Sequence, residues 1–410
     1  MTMTKTWYRI RKICSILIGI VFFIAGISKL MDPVGAGLVV GEYFKFFHLG
    51  FLNFASQGVG VTMALLETLM GAALITSVFR KLTAILSSVM TAFFTLLTLI
   101  LLIFNPPMDC GCFGEVVELS HLETFLKNIG LCILAAVAFL PMRDLGHSKK
   151  SKHVSFWIVT VSVIFFALAS LMSIPLVDYT PYKVDSELAA VKRENMNFDE
   201  YMSTFIYEKN GVEGSFTLDN LPDSTWVYKK TETVKRDNAD EGDIINSLSF
   251  TDASGHYQDS LAGNEAVMIV SLYKPSTING NTWKKISAFL SDASKEGFNP
   301  LLLLSTTPAE LEKMLSKANL TQTEKTTLMI SAYFADYKSL ISLNRSNGGA
   351  TYYYNGELIC KWAQGVLPDK DKLAETFSAD QTDLMLKSET KGRLFYHSFL
   401  LYVFAIMIFI

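Results

Sequence analysis

Long apolar runs dominate the first part of the chain. Five of them fall within the first 176 residues, each close to the roughly 20 residues that a helix needs to cross a bilayer, and a sixth ends the chain. Because no soluble fold requires five such runs in so short a stretch, the pattern predicts a multi-pass membrane protein. The predicted spans are residues 13–31, 59–79, 82–104, 123–141, 156–176 and 394–410.

The stretch between the fifth and sixth runs is patterned as a soluble part that follows a linker at 177–200. A continuous apolar run such as Ala266–Leu272 is typical of a buried central strand. The Asn-Gly pairs at 210–211 and 355–356 are typical of hairpin turns. The predicted elements are strands at 203–208, 214–218, 225–234, 266–272 and 301–304, hairpins at 249–257 and 351–362, and helices at 281–296, 307–318 and 368–377.

Composition and charge narrow the class of protein further. Half of the residues are hydrophobic and 18% are charged, a mixture too apolar for a disordered chain. The charge is unevenly divided, since residues 1–175 carry a net charge of +5 and residues 176–410 carry −8. Because binding to phosphate backbones needs a basic surface, the acidic second part argues against nucleic acid as a partner. The lipid bilayer is the first partner that the sequence predicts.

Lysines and arginines cluster on one side of the predicted bundle. Under an alternating topology ten lie on one side and three lie on or near the other. The positive-inside rule then predicts a bacterial inner-membrane protein with a cytoplasmic N-terminus and periplasmic loops at 32–58 and 105–122. The soluble part is also expected in the periplasm, although basic residues beside 394–410 count against that last span. The ten are Lys5, Arg9, Arg11, Lys12, Arg80, Lys81, Arg143, Lys149, Lys150 and Lys152, and the three are Lys29, Lys45 and Lys127.

Two charged residues, Lys29 and Glu67, fall inside predicted spans. Ionisable side chains within a membrane are costly and are candidates for function. Side chains on a helix tilt toward its N-terminus, so Lys29 should reach inward and Glu67 outward, and the two converge if their helices are neighbours. Two interpretations follow. The pair either fixes the register of the helices as a structural ion pair or forms a proton or ligand site.

Two of the five cysteines, Cys110 and Cys112, lie on the predicted loop after the third span. A Cys-x-Cys pair closes a disulfide only through a small strained ring, which the glycine at 111 eases, and strained exposed disulfides are the labile ones. A redox pair and a static structural turn are both consistent with this pattern. We predict no metal site, because the loop adds few ligands. These are Asp109, Glu115 and His121, and the remaining cysteines, Cys14, Cys132 and Cys360, are expected to be packing residues.

The motif Asp-Cys-Gly-Cys-Phe-Gly at 109–114 and the segment Gly-Ile-Ser-Lys-Leu-Met-Asp-Pro at 26–33 resemble the methylamine-utilisation MauE and DoxX-like membrane proteins. The resemblance covers about 1–145. It implies an all-α membrane four-helix bundle and, for MauE, a role linked to disulfide formation in an exported dehydrogenase. The architecture is also similar to quinone-linked membrane thiol oxidoreductases, which carry Cys-x-x-Cys where this chain has Cys-x-Cys.

The order of elements over 245–380 resembles a soluble α/β thioredoxin-like domain, in which a Cys-x-x-Cys motif follows the first central strand. Residues 273–279 read Tyr-Lys-Pro-Ser-Thr-Ile-Asn at that point and contain no thiol. The expected cis-proline before the hairpin is replaced by Gly348 or a neighbour. Because thiol–disulfide exchange needs a thiolate, this domain is predicted to be degenerate and kept for docking, to a partner or over the cysteine loop.

The leading hypothesis is a membrane thiol–disulfide oxidoreductase. In it Cys110 and Cys112 exchange electrons with an unknown periplasmic or envelope protein, a membrane quinone is the one cofactor considered, and Lys29 and Glu67 tune the bundle. The rival is a non-catalytic membrane scaffold whose thioredoxin-like domain binds an envelope partner, with structural cysteines. The predicted domains are 1–145 (four-span MauE-like bundle), 154–176 (fifth helix), 177–244 (linker and β-rich extension), 245–380 (degenerate thioredoxin-like domain) and 394–410 (C-terminal span).

Overall fold

The structure is a computed structural model. It describes residues 5–106, 108, 110–117, 119–142, 145, 148–171, 174–175, 177–188, 201–209, 212–216, 227–235 and 248–409. Helices fill most of its first 171 residues. They are α1 (Lys5–Met31), α2 (Pro33–Phe46), a 3-10 turn (Gly50–Ala55), α3 (Ser56–Thr76), α4 (Arg80–Phe104), α5 (His121–Phe139) and α6 (Lys150–Leu171).

Within the described residues six helices are long and apolar enough to cross a membrane, which confirms the predicted multi-pass membrane protein. Five of them are α1, α3, α4, α5 and α6, and the sixth is the C-terminal helix, Gln381–Phe409. The sixth differs most from its predicted range of 394–410. Its first half is polar, so a search for apolar runs finds only the second half, while the backbone helix continues through both.

The segment between the first two membrane-capable helices is not the predicted loop at 32–58, because most of it is helical. Asp32 begins α2, where its Oδ1 accepts the backbone N–H of Gly35 at 2.9 Å and Pro33 occupies the first turn. This helix lies close against α3, since a Cβ added at Gly60 would come within 2.8 Å of the carbonyl oxygen of Ala36. At 14 residues α2 is too short to be recognised as a span.

Helices α1 and α3 also pack backbone to backbone. A Cβ at Gly26 would lie 2.5 Å from the backbone nitrogen of Thr68, and one at Gly71 would lie 2.7 Å from the Cα of Phe23. Only glycine permits such an approach, which is the usual device for helix association in a membrane. The C-terminal helix covers α6, with Phe399 stacked on Phe166 at 4.4 Å between ring centroids. The chain therefore returns to the bundle after its soluble part.

The soluble part contains a mixed sheet. A short strand, β1 (Cys112–Glu115), belongs to the bundle, and β2–β4 form a separate antiparallel sheet with the order β3-β2-β4. The six-stranded sheet has the order β10-β9-β6-β7-β8-β5, in which β6, β7 and β8 are parallel and β9 and β10 form a hairpin antiparallel to β6. The strands are β2 (Tyr201–Lys209), β3 (Val212–Phe216), β4 (Val227–Lys235), β5 (Phe250–Thr251), β6 (Val267–Leu272), β7 (Asn299–Leu304), β8 (Ala332–Ala335), β9 (Gly349–Tyr354) and β10 (Glu357–Trp362).

Helices cover this sheet, and apolar side chains fill the space on each face. The fully buried Trp283 packs on one face, and the fully buried Tyr353 belongs to the cluster on the other. We refer to residues 248–378 as the mixed-sheet domain. Its helices are α7 (Gly280–Lys295), α8 (Pro308–Lys317), α9 (Gln322–Ile330), α10 (Tyr337–Leu343) and α11 (Lys370–Ser378), and the C-terminal helix is α12.

The predicted order of strand, helix, strand, helix, hairpin and helix is confirmed in this domain, with one segment missed. The missed segment, α9, β8 and α10, lies between α8 and β9 and adds a third parallel strand. The predicted hairpin at 249–257 is present as a short turn: Thr251 forms an antiparallel bridge with Tyr257, and the N–H of Gln258 donates to the carbonyl of Phe250 at 2.9 Å, while Phe250 and Thr251 also pair with β8. The hairpin turn predicted at Asn-Gly 210–211 lies outside the described residues.

A buried ion pair joins the mixed-sheet domain to the bundle. Arg345 Nε lies 2.9 Å from Asp32 Oδ2, and the two side chains are only 3% and 16% exposed. The carbonyl of Arg345 also accepts the hydroxyl proton of Tyr273 at 2.9 Å. Tyr273 directly follows β6, so the end of β6 is the edge of the sheet that meets the start of α2. A second pair, Lys361 with Asp178, lies further along the same junction.

Arg345→Met should uncouple the two parts. Removing one member of a buried ion pair leaves the other charge without compensation, which typically costs about 3–5 kcal/mol. We expect a lower melting temperature for the full chain in detergent and faster proteolysis between the bundle and the mixed-sheet domain. Lys338→Met is the matched control, since Lys338 is 83% exposed and 4.0 Å from Glu42. Equal behaviour of the two variants would contradict a stabilising role for Arg345.

Candidate functional site

The residues Cys110, Gly111 and Cys112, which we call the cysteine loop, are seated on α2. Gly111 has a φ of +60°, and a Cβ there would collide with Val39, so only glycine fits. The hydroxyl of Tyr43 donates to the carbonyl of Cys110 at 3.0 Å. Burial first, and then the charges of Cys112 and Cys110, raise the pKa of Tyr43, so its phenol stays protonated as a donor.

The thiol of Cys110 lies next to a histidine. Cys110 Sγ is 3.1 Å from His121 Nδ1, and His121 Nε2 is 3.1 Å from the carbonyl of Pro106. Because a carbonyl only accepts, Nε2 must carry a proton, which leaves Nδ1 of the neutral ring as the acceptor for the thiol. A thiol paired with an oriented imidazole is the usual arrangement of an activated cysteine. Sequence reasoning considered His121 only as a metal ligand and missed this pairing.

His121 is held in place by the first turn of α5. Ser120 caps that helix and forms a reciprocal capping box with Glu123, which fixes where the helix begins. Through the contact of Nε2 with Pro106, the ring is also tied to the chain just after α4. The sequence signal that could have indicated the pairing with Cys110 is a histidine directly after a capping serine, eleven residues beyond that cysteine. Of the other two loop residues considered as ligands, Asp109 lies outside the described residues and Glu115 ends β1.

The structure brings Lys29 and Glu67 together. The ammonium of Lys29 lies 2.9 and 2.7 Å from the two carboxylate oxygens of Glu67, and the side chains are 14% and 2% exposed. The pair bridges α1 and α3, whose backbones are in glycine contact. The ammonium also lies 5.9 Å from the ring centroid of Phe94 on α4.

A cavity of about 340 Å³ joins the ion pair to the cysteine loop. It lies among α1, α2, α3, α4 and α5, and its wall is mostly aliphatic and aromatic. The polar part of the wall comes from the cysteine loop, the Lys29–Glu67 pair, Lys127 and a few hydroxyl and amide groups. Those last groups include Tyr43, Thr91, Thr98 and Asn128.

A second, smaller cavity of about 150 Å³ lies on the other face of the cysteine loop. The three loop residues line both cavities, so the loop forms a partition between them. Gly35 and Glu42 of α2 line the smaller cavity. Gly35 is the residue capped by Asp32, so this cavity lies next to the ion pair that joins the mixed-sheet domain to the bundle. Cys110 is buried and Cys112 is half-buried.

The other three cysteines lie away from the loop. Cys132 on α5 lies 3.3 Å from the hydroxyl of Thr95, and Cys14 is half-buried on α1. Cys360 on β10 is buried in the core of the mixed-sheet domain, and burial raises its pKa well above the usual range of a thiol. All five cysteines are in the thiol form in the structure. Only Cys110 and Cys112 occupy a wall shared by two cavities.

A double-mutant cycle should separate the two interpretations of the Lys29–Glu67 pair. Each single change, Lys29→Met or Glu67→Leu, leaves one buried charge and should destabilise the chain by about 3–5 kcal/mol. The double change removes both charges and should recover most of that loss, as read from thermal unfolding in detergent. If the double variant recovers its stability and Cys110 and Cys112 still change redox state in cells, the pair is structural. If it recovers its stability but the two cysteines no longer change redox state, the pair is a proton or ligand site. Additive losses would contradict direct coupling.

Two segments of the chain match family models of known proteins. Residues 8–141, about a third of the chain, match the family model of the methylamine utilisation protein MauE. This confirms the resemblance predicted from the motifs at 26–33 and 109–114, both of which lie within the match. Residues 201–236 match a domain of unknown function, DUF8463. No curated protein and no solved structure matches the chain.

Proposed function

We propose that this chain, with its MauE-like membrane region, is a thiol–disulfide oxidoreductase of the bacterial inner membrane, and that it oxidises thiols of a protein in the periplasm. The observation that carries the proposal is the Cys110–His121 pair, with its fixed tautomer, in a partition between two cavities. A purely structural turn needs neither a base beside one thiol nor access to both thiols from two sides.

The exchange step uses the two cysteines in different ways. With the pair oxidised, a thiolate of the partner attacks Sγ of Cys112, which is the more exposed sulfur and lines the small cavity. The S–S bond breaks, and Cys110 leaves as a thiolate, which receives through His121 the proton that the first partner thiol gave up. The second partner thiolate then attacks the partner's sulfur in the mixed disulfide and closes the partner's disulfide, and the departing Cys112 thiolate takes up the proton that the second partner thiol gave up.

Regeneration oxidises the reduced cysteine pair back to the disulfide. Re-forming the S–S bond breaks the two S–H bonds and passes two electrons and two protons to a membrane quinone as acceptor. His121 accepts the proton of Cys110 at Nδ1, so the thiolate forms beside a cation that stabilises it. Gly111, at its positive φ, gives the three-residue ring the backbone freedom that a Cys-x-Cys disulfide requires.

The mixed-sheet domain has a docking role in this proposal. Its strand order and its crossovers agree with a thioredoxin-like fold that lacks thiols at the edge where a thioredoxin carries them. That edge instead supplies Tyr273 and Arg345 to the contact with Asp32, beside the small cavity. The domain can therefore hold an envelope partner over Cys112 without sulfur chemistry of its own. The excess of basic residues at the opposite end of the bundle supports a periplasmic position for it.

Cys110→Ser should accumulate a mixed disulfide through the reverse of the exchange step: the Cys112 thiolate attacks the disulfide of the oxidised partner, and Cys110, the thiol that would then close a disulfide with Cys112 and release the partner, is gone. Acid quenching of cells followed by maleimide-polyethylene glycol labelling and non-reducing gels will show the adduct. Cys112→Ser should accumulate much less, since the remaining thiol is buried. Cys132→Ser is the matched control and should behave as the wild type. Absence of any adduct and of any redox change in all three variants would contradict the exchange function and favour the scaffold.

His121→Gln should remove the base beside Cys110. We expect the rate of carbamidomethylation of reduced Cys110 at pH 7, read by peptide mass, to fall by about 10²-fold. His256→Gln, on an exposed surface, is the control and should react at the wild-type rate. An unchanged rate in His121→Gln would contradict the assignment of His121 as base.

A further inference from the structure

We infer that the 340 Å³ cavity binds the ring of a lipid-soluble quinone, against the bundle face of the cysteine loop. The inference rests on the proposed exchange function and goes beyond it, because it assigns the acceptor a site and names the side chains that form it. Small-molecule sites in proteins are clefts of roughly 300–1,000 Å³ with apolar walls and a few placed polar groups. This cavity has that size and that wall.

The cavity reaches the lipid-facing surface. Phe47 and Leu49, just beyond α2, and Phe93 on α4 line it, and the same three side chains are also 40%, 38% and 53% exposed on the outside of the bundle. Exposed apolar side chains at this opening favour a ligand that enters from the hydrocarbon region over one that enters from water. This favours an amphipathic acceptor whose apolar tail stays in the bilayer while its ring occupies the cavity.

Polar groups lie where a quinone ring needs them. The ammonium of Lys29 has three N–H donors, and among the described residues its acceptors are the two carboxylate oxygens of Glu67. One donor can therefore serve a carbonyl oxygen of the ring. When that oxygen gains negative charge on reduction, a preorganised N–H donor of the ion pair stabilises it in an apolar cavity. A ligand contact therefore explains why the Lys29–Glu67 pair lies at the cavity wall, which a role in helix register alone does not explain.

The cysteine loop completes the site. Cys110, Gly111 and Cys112 lie in the wall of the same cavity, so the sulfurs and the ring share one enclosed space. The two electrons leave the thiol pair as its S–S bond forms, and the quinone becomes the quinol with the two thiol protons. His121 holds one of those protons at Nδ1. The loop thus faces a protein thiol on one side and a lipid-soluble acceptor on the other.

The test uses a pair of neighbouring leucines on α4. Leu97 lines the cavity, and Leu96 is 59% exposed on the outside of the same helix. The full chain in lipid nanodiscs is irradiated with an azido-substituted ubiquinone analogue, and labelled peptides are mapped by mass spectrometry. We expect label on cavity residues in the wild type. Leu97→Trp should lose at least about tenfold of this label, and Leu96→Trp should keep the wild-type amount.

A second cavity variant guards against a folding defect. Leu131→Trp fills the cavity from α5 and should also lose the label, while melting temperatures show whether the variants remain folded. Excess decylubiquinone should displace the label, and palmitate should not. Displacement by palmitate alone would identify an acyl-chain pocket and overturn the inference, as would undiminished labelling in both filled variants.

Failure of the quinone site and failure of the exchange function give different results. Labelling is therefore repeated in a Cys110→Ser, Cys112→Ser double variant, and the redox state of the wild-type pair is followed in parallel. Thiol cycling without cavity labelling overturns the quinone site and leaves the exchange function intact. Cavity labelling in both chains, with thiols that never change redox state, supports the site and overturns the exchange function.

Discussion

The carboxylate of Asp32 connects the parts of the molecule on which the site depends. One oxygen caps α2 through the N–H of Gly35, and the other binds the buried guanidinium of Arg345 from the mixed-sheet domain. The capped helix presents Val39 and Tyr43 to the cysteine loop. The position of the thiols, the docking of the soluble part and the start of α2 are therefore fixed by the same side chain.

Glycine contacts provide the second constraint, because they bring charged side chains together inside an apolar bundle. At Gly26 and Gly71 the backbones of α1 and α3 approach too closely for any Cβ. Lys29 and Glu67 then meet across this seam with little exposure to solvent. The same close packing does not extend to α4 and α5, and the space left between the helices is the large cavity. An ion pair, a cavity and two thiols thus result from one arrangement of helices.

Much of this could be predicted from the sequence, because some signals are local. Apolar runs of span length, the Asn-Gly turn at 355–356 and the capping box at Thr307 each act over a few residues. The meeting of Lys29 and Glu67 followed from the tilt of side chains along neighbouring helices. The MauE resemblance rested on two short motifs, and both lie within the matched residues.

Other features depend on contacts that no local pattern contains. The Asp32–Arg345 pair joins residues 313 positions apart. The role of His121 depends on the turn that brings Pro106 to its second nitrogen. Helix α2 carried a capping Asp-Pro signal but too few residues for a span, and the cavity exists only once five helices are placed. These are tertiary features, and local sequence patterns do not predict them.

The most direct test is a redox titration of the purified full chain. The protein is equilibrated in glutathione buffers of graded potential and trapped, and the Cys110–Cys112 peptide is weighed by mass spectrometry. The account predicts one reversible two-electron transition that converts two thiols to a disulfide, while Cys132 stays reduced. Two thiols that never join, or a disulfide that no buffer opens, would contradict it.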